Sequence, residues 1–233
     1  DTPSATTIAE PINVVGTGVG PNSYKGAIYV ASTSNDVALS GNIALAGNST
    51  VYNDAVGKDL SLNGAISGTG NLTLTALWDP SDSGSITFGG GSANTYNGDT
   101  TVNGGTVYFQ KTGAIPANLT VETADTGSNR ANVYFYTSSN VMSNSGVVTM
   151  GPNTIDHLTF GANNEIIGGL KGTGGVVQIQ TDGDKVIIDQ STNTTYAGSF
   201  YTDGNIGTFE KKGTGTLTLG RAHVYSSHTL VLF

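Results

Sequence analysis

The sequence predicts an all-β fold: a right-handed parallel β-helix, or β-solenoid, of short strands with essentially no α-helix. Three observations predict it. Short runs alternate an apolar residue with Thr or Ser, as in Leu60-Ser61-Leu62, Leu72-Thr73-Leu74 and Leu217-Thr218-Leu219, and strand side chains point alternately to opposite faces. Gly, Asn and Ser interrupt these runs every few residues, so the chain turns often. A motif in two halves also recurs. Its first half is Gly68-Thr69-Gly70, Gly172-Thr173-Gly174 and Gly213-Thr214-Gly215. Its second half is Tyr96-Asn97-Gly98 and Tyr196-Ala197-Gly198, with Tyr24-Lys25-Gly26 as a related form and Tyr225 after the last Gly-Thr-Gly. A short strand cannot bury its apolar face alone; stacked copies can. One or two β-sandwiches built from the same strands are the competing arrangement.

Composition agrees with strands. Gly supplies 34 of the 233 residues and charged residues only 11%. Gly inside a helix costs about 1 kcal/mol relative to Ala, and no segment of ten residues shows clean helical apolar spacing. The net charge is −8, with a pI near 4.5 and nine scattered Lys and Arg. Nucleic-acid partners need clustered cations, so this balance argues against them. No apolar run is long enough for a membrane helix, and the expectation is a chain that is not membrane-embedded. Cys is absent. With abundant Gly, Thr, Asn and Ser, that points to an extracellular or cell-surface protein of bacterial or archaeal type. The chain begins at Asp1 rather than Met, the expectation for a product already processed for export.

In chain order, residues 1–20 read as an N-terminal arm or cap, because Pro3 and Pro11 (and Pro21 just beyond) limit ladder pairing. Residues 21–228 read as the solenoid. Strands are expected around Tyr24–Ala31, Val37–Leu39, Ile43–Leu45, Thr50–Tyr52, Leu60–Leu62 and Leu72–Leu77. Asp79-Pro80 favours a turn. Strands resume at Ile86–Phe88, Val102–Phe109, Leu119–Val121, Asn132–Tyr136, Val147–Met150, His157–Phe160, Ile166–Leu170, Val176–Ile179, Val186–Ile188 and Leu217–Leu219. Residues 229–233 read as a C-terminal strand that pairs with a neighbouring copy. The inward column is expected to hold Leu72, Leu74, Val102, Val107, Val176, Ile187, Leu217 and Leu219, with Thr and Asn outside and hydrogen-bonded up the ladder. Roughly ten coils at about 4.8 Å would make a rod of about 45–50 Å.

The quoted motif resembles the autotransporter-associated β-strand repeat. Residues 92–106, Ser-Ala-Asn-Thr-Tyr-Asn-Gly-Asp-Thr-Thr-Val-Asn-Gly-Gly-Thr, match its second half closely, and residues 213–226 match its first half, with the pattern departing after Tyr225. Residues 168–179 and 194–202 match loosely. The resemblance implies a right-handed parallel β-helix passenger of a bacterial secreted or surface protein, of the kind that serves in adhesion or in surface layers. It implies no catalytic residues.

The search for chemistry nominates no catalytic, cofactor-binding or metal residue. Asp79 with Asp82, and Asp182 with Asp184, are the tight acidic pairs. Neither extends into a Ca²⁺ loop, which needs six to eight oxygens. His157, His223 and His228 lack a metal spacing, and no nucleophile elbow or phosphate loop is present. Tyr24, Tyr96, Tyr196 and Tyr225 hold equivalent positions; a shared packing role at a corner is the plain reading and a sugar-facing ladder the sharper one. Tyr134, Phe135 and Tyr136 are consecutive, so at least one must face outward. Asn48, Asn71, Asn118 and Asn193 each begin an Asn-x-Ser/Thr triplet. A Thr array for ice or mineral is disfavoured by the irregular repeat length.

The functional expectation is a non-enzymatic structural or adhesive protein that displays a surface or assembles into a filament or surface layer. Its partners would be copies of itself, through strand edges and termini, or a host or cell-surface glycan or protein. The alternative is a carbohydrate-binding or polysaccharide-active β-helix.

Overall fold

A computed structural model describes residues 6–18, 26–31, 35–77, 84–123, 130–136, 139–161, 164–181, 183–202, 207–220 and 229–232. Every strand pairing is parallel, and no helix occurs among these residues. This is a β-solenoid; a sandwich would need antiparallel pairs.

Two sheets run the length of the stack, each nine strands deep along its path. The first contains, in order, Thr6–Ile8, Val37–Leu39, Leu60–Leu62, Ser85–Phe88, Gly105–Phe109, Ala131–Phe135, His157–Phe160, Val176–Ile179 and Ser199–Thr202. The second runs through Ile12–Gly16, Ile43–Asn53, Leu72–Ala76, Thr100–Val102, Leu119–Val121, Val147–Met150, Gly169–Gly172, Thr194–Tyr196 and Leu217–Leu219. Along each path every strand pairs with its equivalent in the next coil. A third sheet, Glu165–Ile167, Lys185–Asp189, Thr208–Lys212 and Thr229–Leu232, closes the side between them in the later coils. Nine strands at about 4.8 Å span about 38 Å, shorter than the ten-coil expectation. Residues 6–16 form the first rung of both sheets. Thr229–Leu232 pairs with Thr208–Lys211 of its own chain.

The core is a set of columns. Leu39, Leu62, Phe88, Phe109, Phe135, Phe160 and Ile179 stack in register on the inner side of the first sheet, all buried. The four Phe rings touch in sequence, with centroids 4.8, 5.8 and 5.1 Å apart. Leu74, Val102, Val121 and Met150 form a matching column in the second sheet. Each such side chain contributes about 1.5–3 kcal/mol of burial, and no single coil could collect it alone.

The inward set is corrected at two positions. Val176 and Ile187 are only half-buried, whereas Val177, Ile179, Val186 and Ile188 are buried. The physical reason is parity. Gln178 shares a face with Val176, and Lys185 and Asp189 share a face with Ile187. These polar groups need water, and a strand cannot turn alternate residues inward without turning the charged ones inward too. Leu217 and Leu219 are partly buried, packed against the core from the last rung of the second sheet.

The motif has a definite place. Gly68 and Gly172 take φ values of +114° and +139°, which Gly alone adopts readily. The second glycine of each triplet, Gly70 or Gly174, has its missing Cβ position filled by a carbonyl of the coil below, that of Gly47 or Pro152. Gly98 and Gly198 repeat the relation one coil higher, over Gly70 and Gly174. The two halves of the motif therefore lie on consecutive coils at one corner.

Candidate functional site

The outward positions of the two long sheets are the surfaces available for function. In the second sheet they form a column of hydroxyls. Thr50, Thr73, Thr101, Thr120 and Thr149 stand side by side in register. Lys171 follows, and Thr195 and Thr218 complete the column. The column is one Thr wide, with Asn48, Asn71, Asp99 and Asn118 beside it and Lys171 within it, and is not the Thr-x-Thr array that ice or mineral binding would need. Consecutive members lie as few as 19 residues apart (Thr101 and Thr120) and as many as 29 (Thr120 and Thr149), yet the strand register is unbroken. Length differences fall between strands, where they do not alter pairing.

Beside this column runs a ladder of corner side chains. Asn48 Oδ1 accepts the Asn71 N–H at 3.0 Å, and Asn71 Oδ1 accepts the Asp99 N–H at 2.9 Å. Asp99 Oδ1 accepts from Asn118 Nδ2 at 2.9 Å, and Asn118 Oδ1 accepts the Val147 N–H at 2.8 Å. Asn193 Oδ1 does the same for Thr216 at 2.8 Å. All four Asn of the Asn-x-Ser/Thr triplets therefore belong to this corner. The triplet follows from the architecture: a clamping Asn, then an inward residue, then an outward hydroxyl.

Tyr96 and Tyr196 are buried at 1% and 0% exposure. The Tyr96 hydroxyl is hydrogen-bonded to Thr100, and that of Tyr196 donates to the Gly175 and Ser199 carbonyls at 3.1 and 3.0 Å. Burial raises the Tyr96 phenol above its ordinary range. These two take the packing role and present no ring to a ligand. Tyr24 and Tyr225 lie outside the described residues.

The clustered outward-facing aromatics are elsewhere, and each is partly buried. Phe135 points into the core, while Tyr134 and Tyr136 on either side of it point outward and join Tyr108 of the adjacent strand. Ring centroids are 5.0 Å (Tyr108–Tyr134), 5.3 Å (Tyr134–Tyr136) and 6.0 Å (Tyr108–Tyr136), with planes within 24° of one another. The Tyr136 ring lies across Gly161, where a Cβ would collide with its Cδ1 and Cε1. Its hydroxyl donates to Gln180 Oε1 at 2.5 Å, two rungs farther along. Partial burial raises the phenols of Tyr108 and Tyr136. Thr159, beside Tyr134 in the outward column, is only 2% exposed. On the second sheet Tyr29 and Tyr52 stack at 5.8 Å and 5°, and both hydroxyls donate to the Asp54 carboxylate. That hydrogen bond raises the Tyr29 phenol.

His157 is half-buried on the first sheet, and burial, then Arg130, lowers its pKa. Asp184 is buried before Lys185–Asp189. His223, His228, Asp79, Asp82 and Asp182 lie outside the described residues. Among the described residues no three His, Asp or Glu gather as metal ligands.

Buried polar groups tie coils together, and sequence reading missed them. The Asp156 carboxylate accepts from the Thr123 N–H, the Thr123 hydroxyl and the Ala131 N–H at 2.8–3.1 Å. Asn94 bridges the Ile66 N–H and the Ala114 carbonyl. The Glu165 carboxylate accepts the Val141 and Met142 N–H groups, each at 3.0 Å. Burial raises its pKa to about 7 against the lowering effect of those donors. Lys111 is 2% exposed, donates to the Gly64 carbonyl at 3.0 Å, and is lowered by burial to about 8. Partners 20–47 residues away leave no local pattern to find.

No family model matches the chain, and no curated protein or solved structure matches it at the level taken as significant. No helix among the described residues is long and apolar enough to cross a membrane.

Proposed function

We propose that this chain is a segment of the rod of a secreted or cell-surface bacterial protein, of the passenger type that its repeat resembles. The rod is non-enzymatic. It displays the outward columns of its sheets for adhesion or for assembly into filaments or a surface layer. The observation that carries this reading is the placement of Gly98 over Gly70 and Gly198 over Gly174. The recurring motif thereby acts as a coil-stacking device and leaves the outer faces for contact. Those faces are continuous: the Thr column of the second sheet crosses eight rungs. Copies of the same chain, or a glycan or protein of another cell, are the partners.

The test is location and form together. Antibodies against the chain should label intact source cells or their culture medium, and the purified chain should appear as rods or filaments by electron microscopy. Label seen only after cells are broken open would reject the reading.

A further inference from the structure

We propose that the outer face of the first sheet around Tyr108, Tyr134 and Tyr136 is a binding platform for an uncharged polysaccharide. This names the ligand class for the displayed surface and rests on that reading.

The protein carries −8 overall. Yet the outward column from Thr87 through Tyr108, Tyr134, Thr159 and Gln178 to Tyr201 holds no ionisable group other than phenols. The neighbouring column follows the first in register, through Gln110, Tyr136, Gly161 and Gln180, and is uncharged as well. Elsewhere the outward positions carry charge: Lys171 stands in the Thr column, and the third sheet bears Lys185, Glu210 and Lys212, linked by ion pairs. The opposite flank holds Asp59, whose carboxylate acts on the Tyr108 phenol, and His157, hydrogen-bonded to Gln178. An anionic ligand would meet the Asp59 charge at the edge of the tyrosine face, and desolvating it there would cost free energy. A neutral ligand meets no such cost.

Ring placement supplies the second step. Phe, Leu or Ile at these outward positions would serve packing as well; the chain has three tyrosines instead. Tyr136 is laid down on Gly161 and held there by its hydrogen bond to Gln180, so the ring is fixed before any ligand arrives. Tyr134 is parallel to it within 7°. Fixed aromatic surface binds with little loss of side-chain freedom. A pyranose ring offers an apolar patch of C–H bonds on its face and hydroxyls around its rim. Tyrosine offers an apolar face and a polar tip. At the edge of the cluster Gln180 Oε1 accepts from Tyr136 and Gln178 is hydrogen-bonded to His157; an amide has two donors and an oxygen with two lone pairs, so such hydroxyls can join these bonds. From Tyr108 to Tyr201 the column covers four rung spacings, about 19 Å, enough for an oligosaccharide rather than a single sugar.

The experiment is affinity electrophoresis and pull-down of the whole chain with neutral polysaccharides (glucans, mannans, chitin) and with anionic ones (alginate, heparin). At least one neutral polymer should retard or capture the chain. Tyr134→Ala and Tyr136→Ala should each weaken capture by about tenfold. Gly161→Val should do the same by lifting the Tyr136 ring, while Thr120→Ala, on the other sheet, should change nothing. Thermal melts show whether each variant is folded; should Gly161→Val unfold, Tyr136→Ser tests the same ring. The inference is overturned by capture on no neutral polymer, by capture on anionic polymers only, or by tyrosine variants that bind as the parent does. It is also overturned if these variants abolish a dimer seen by sedimentation, because the face would then be covered by a second copy. Each of these outcomes leaves the display reading to its own test of location and form.

Discussion

Gly98 stands directly over Gly70, so close that a Cβ on Gly98 would fall on the Gly70 carbonyl carbon and oxygen. The coils meet backbone to backbone there. No flexible side chain can give way, and the strands on either side hold the spacing.

Gly98→Ala should therefore be strongly destabilising. Overpacking against backbone that cannot yield costs about 3 kcal/mol, the upper end of the usual range, which lowers the melting temperature by roughly 6–12 °C in a chain of this size. Gly91→Ala is the control. Nothing lies within 4 Å of a Cβ at Gly91, and its effect should stay within about 0.5 kcal/mol. Circular-dichroism melts of the two variants decide the matter; equal melting temperatures would refute the close-approach account.

Glu165 should make stability fall as pH rises. Its carboxyl titrates near 4.5 in the unfolded chain and at about 7 in the fold, so the folded state holds the proton more tightly. The stabilisation is complete below pH 4.5 and is lost as pH rises through about 7. The expected readout is the difference between the parent and Glu165→Gln. Melting temperatures measured from pH 4 to 8 should converge or cross as pH rises, the parent losing ground, by up to about 3 kcal/mol. Parallel curves would contradict the assignment.

Lys111 has the opposite slope. The fold lowers its pKa from 10.5 to about 8, so the unfolded chain holds the proton more tightly and stability rises between pH 8 and 10.5. Other groups titrate in that range, and the comparison is again with a variant, Lys111→Met. The parent should gain on the variant as pH climbs from 8 to 10. Removing the ammonium also leaves the Gly64 carbonyl without this donor, so the two proteins need not coincide at neutral pH.

Two coil-to-coil brackets should rank by burial. Asp156→Ala strips three hydrogen bonds from buried donors and should cost about 3 kcal/mol or more. Asn118→Ala, at an exposed corner, removes a clamp on the Val147 N–H that water replaces, at about 1 kcal/mol. Urea titration gives both values. A larger loss for Asn118→Ala would show that the corner ladder, not the buried carboxylate, holds those coils together.

Much of the fold was legible in the sequence because one strand and one turn carry their own evidence. Leu72-Thr73-Leu74 announces an inward-outward-inward strand, and the structure buries both Leu and turns Thr73 out. The glycine triplets announce corners. Consecutive apolar residues leave parity open at Val176-Val177 and Ile187-Ile188, and there the charged or amide neighbours decide which residue of each pair is buried. The regularity of the Thr column is not legible in the sequence, because spacings of 19 to 29 residues hide a constant strand register. The tyrosine cluster was half visible: three consecutive aromatics require an outward one, but the part played by Gly161 depends on which residue the next coil sets beside Tyr136. Asp156, Asn94 and Glu165 left no trace, since their partners are fixed by stacking rather than by neighbours in the chain.

The unbroken Thr register has a consequence for how such a rod changes over time. Coils that differ by ten residues in length present the same ledge of hydroxyls at the same pitch. Segments between rungs are thus free to grow, shrink or take on new sequence, while one residue added within a strand would turn the rest of that strand inside out. The molecule behaves as a rack with fixed shelves: recognition elements can be exchanged at its corners without re-engineering what holds them up.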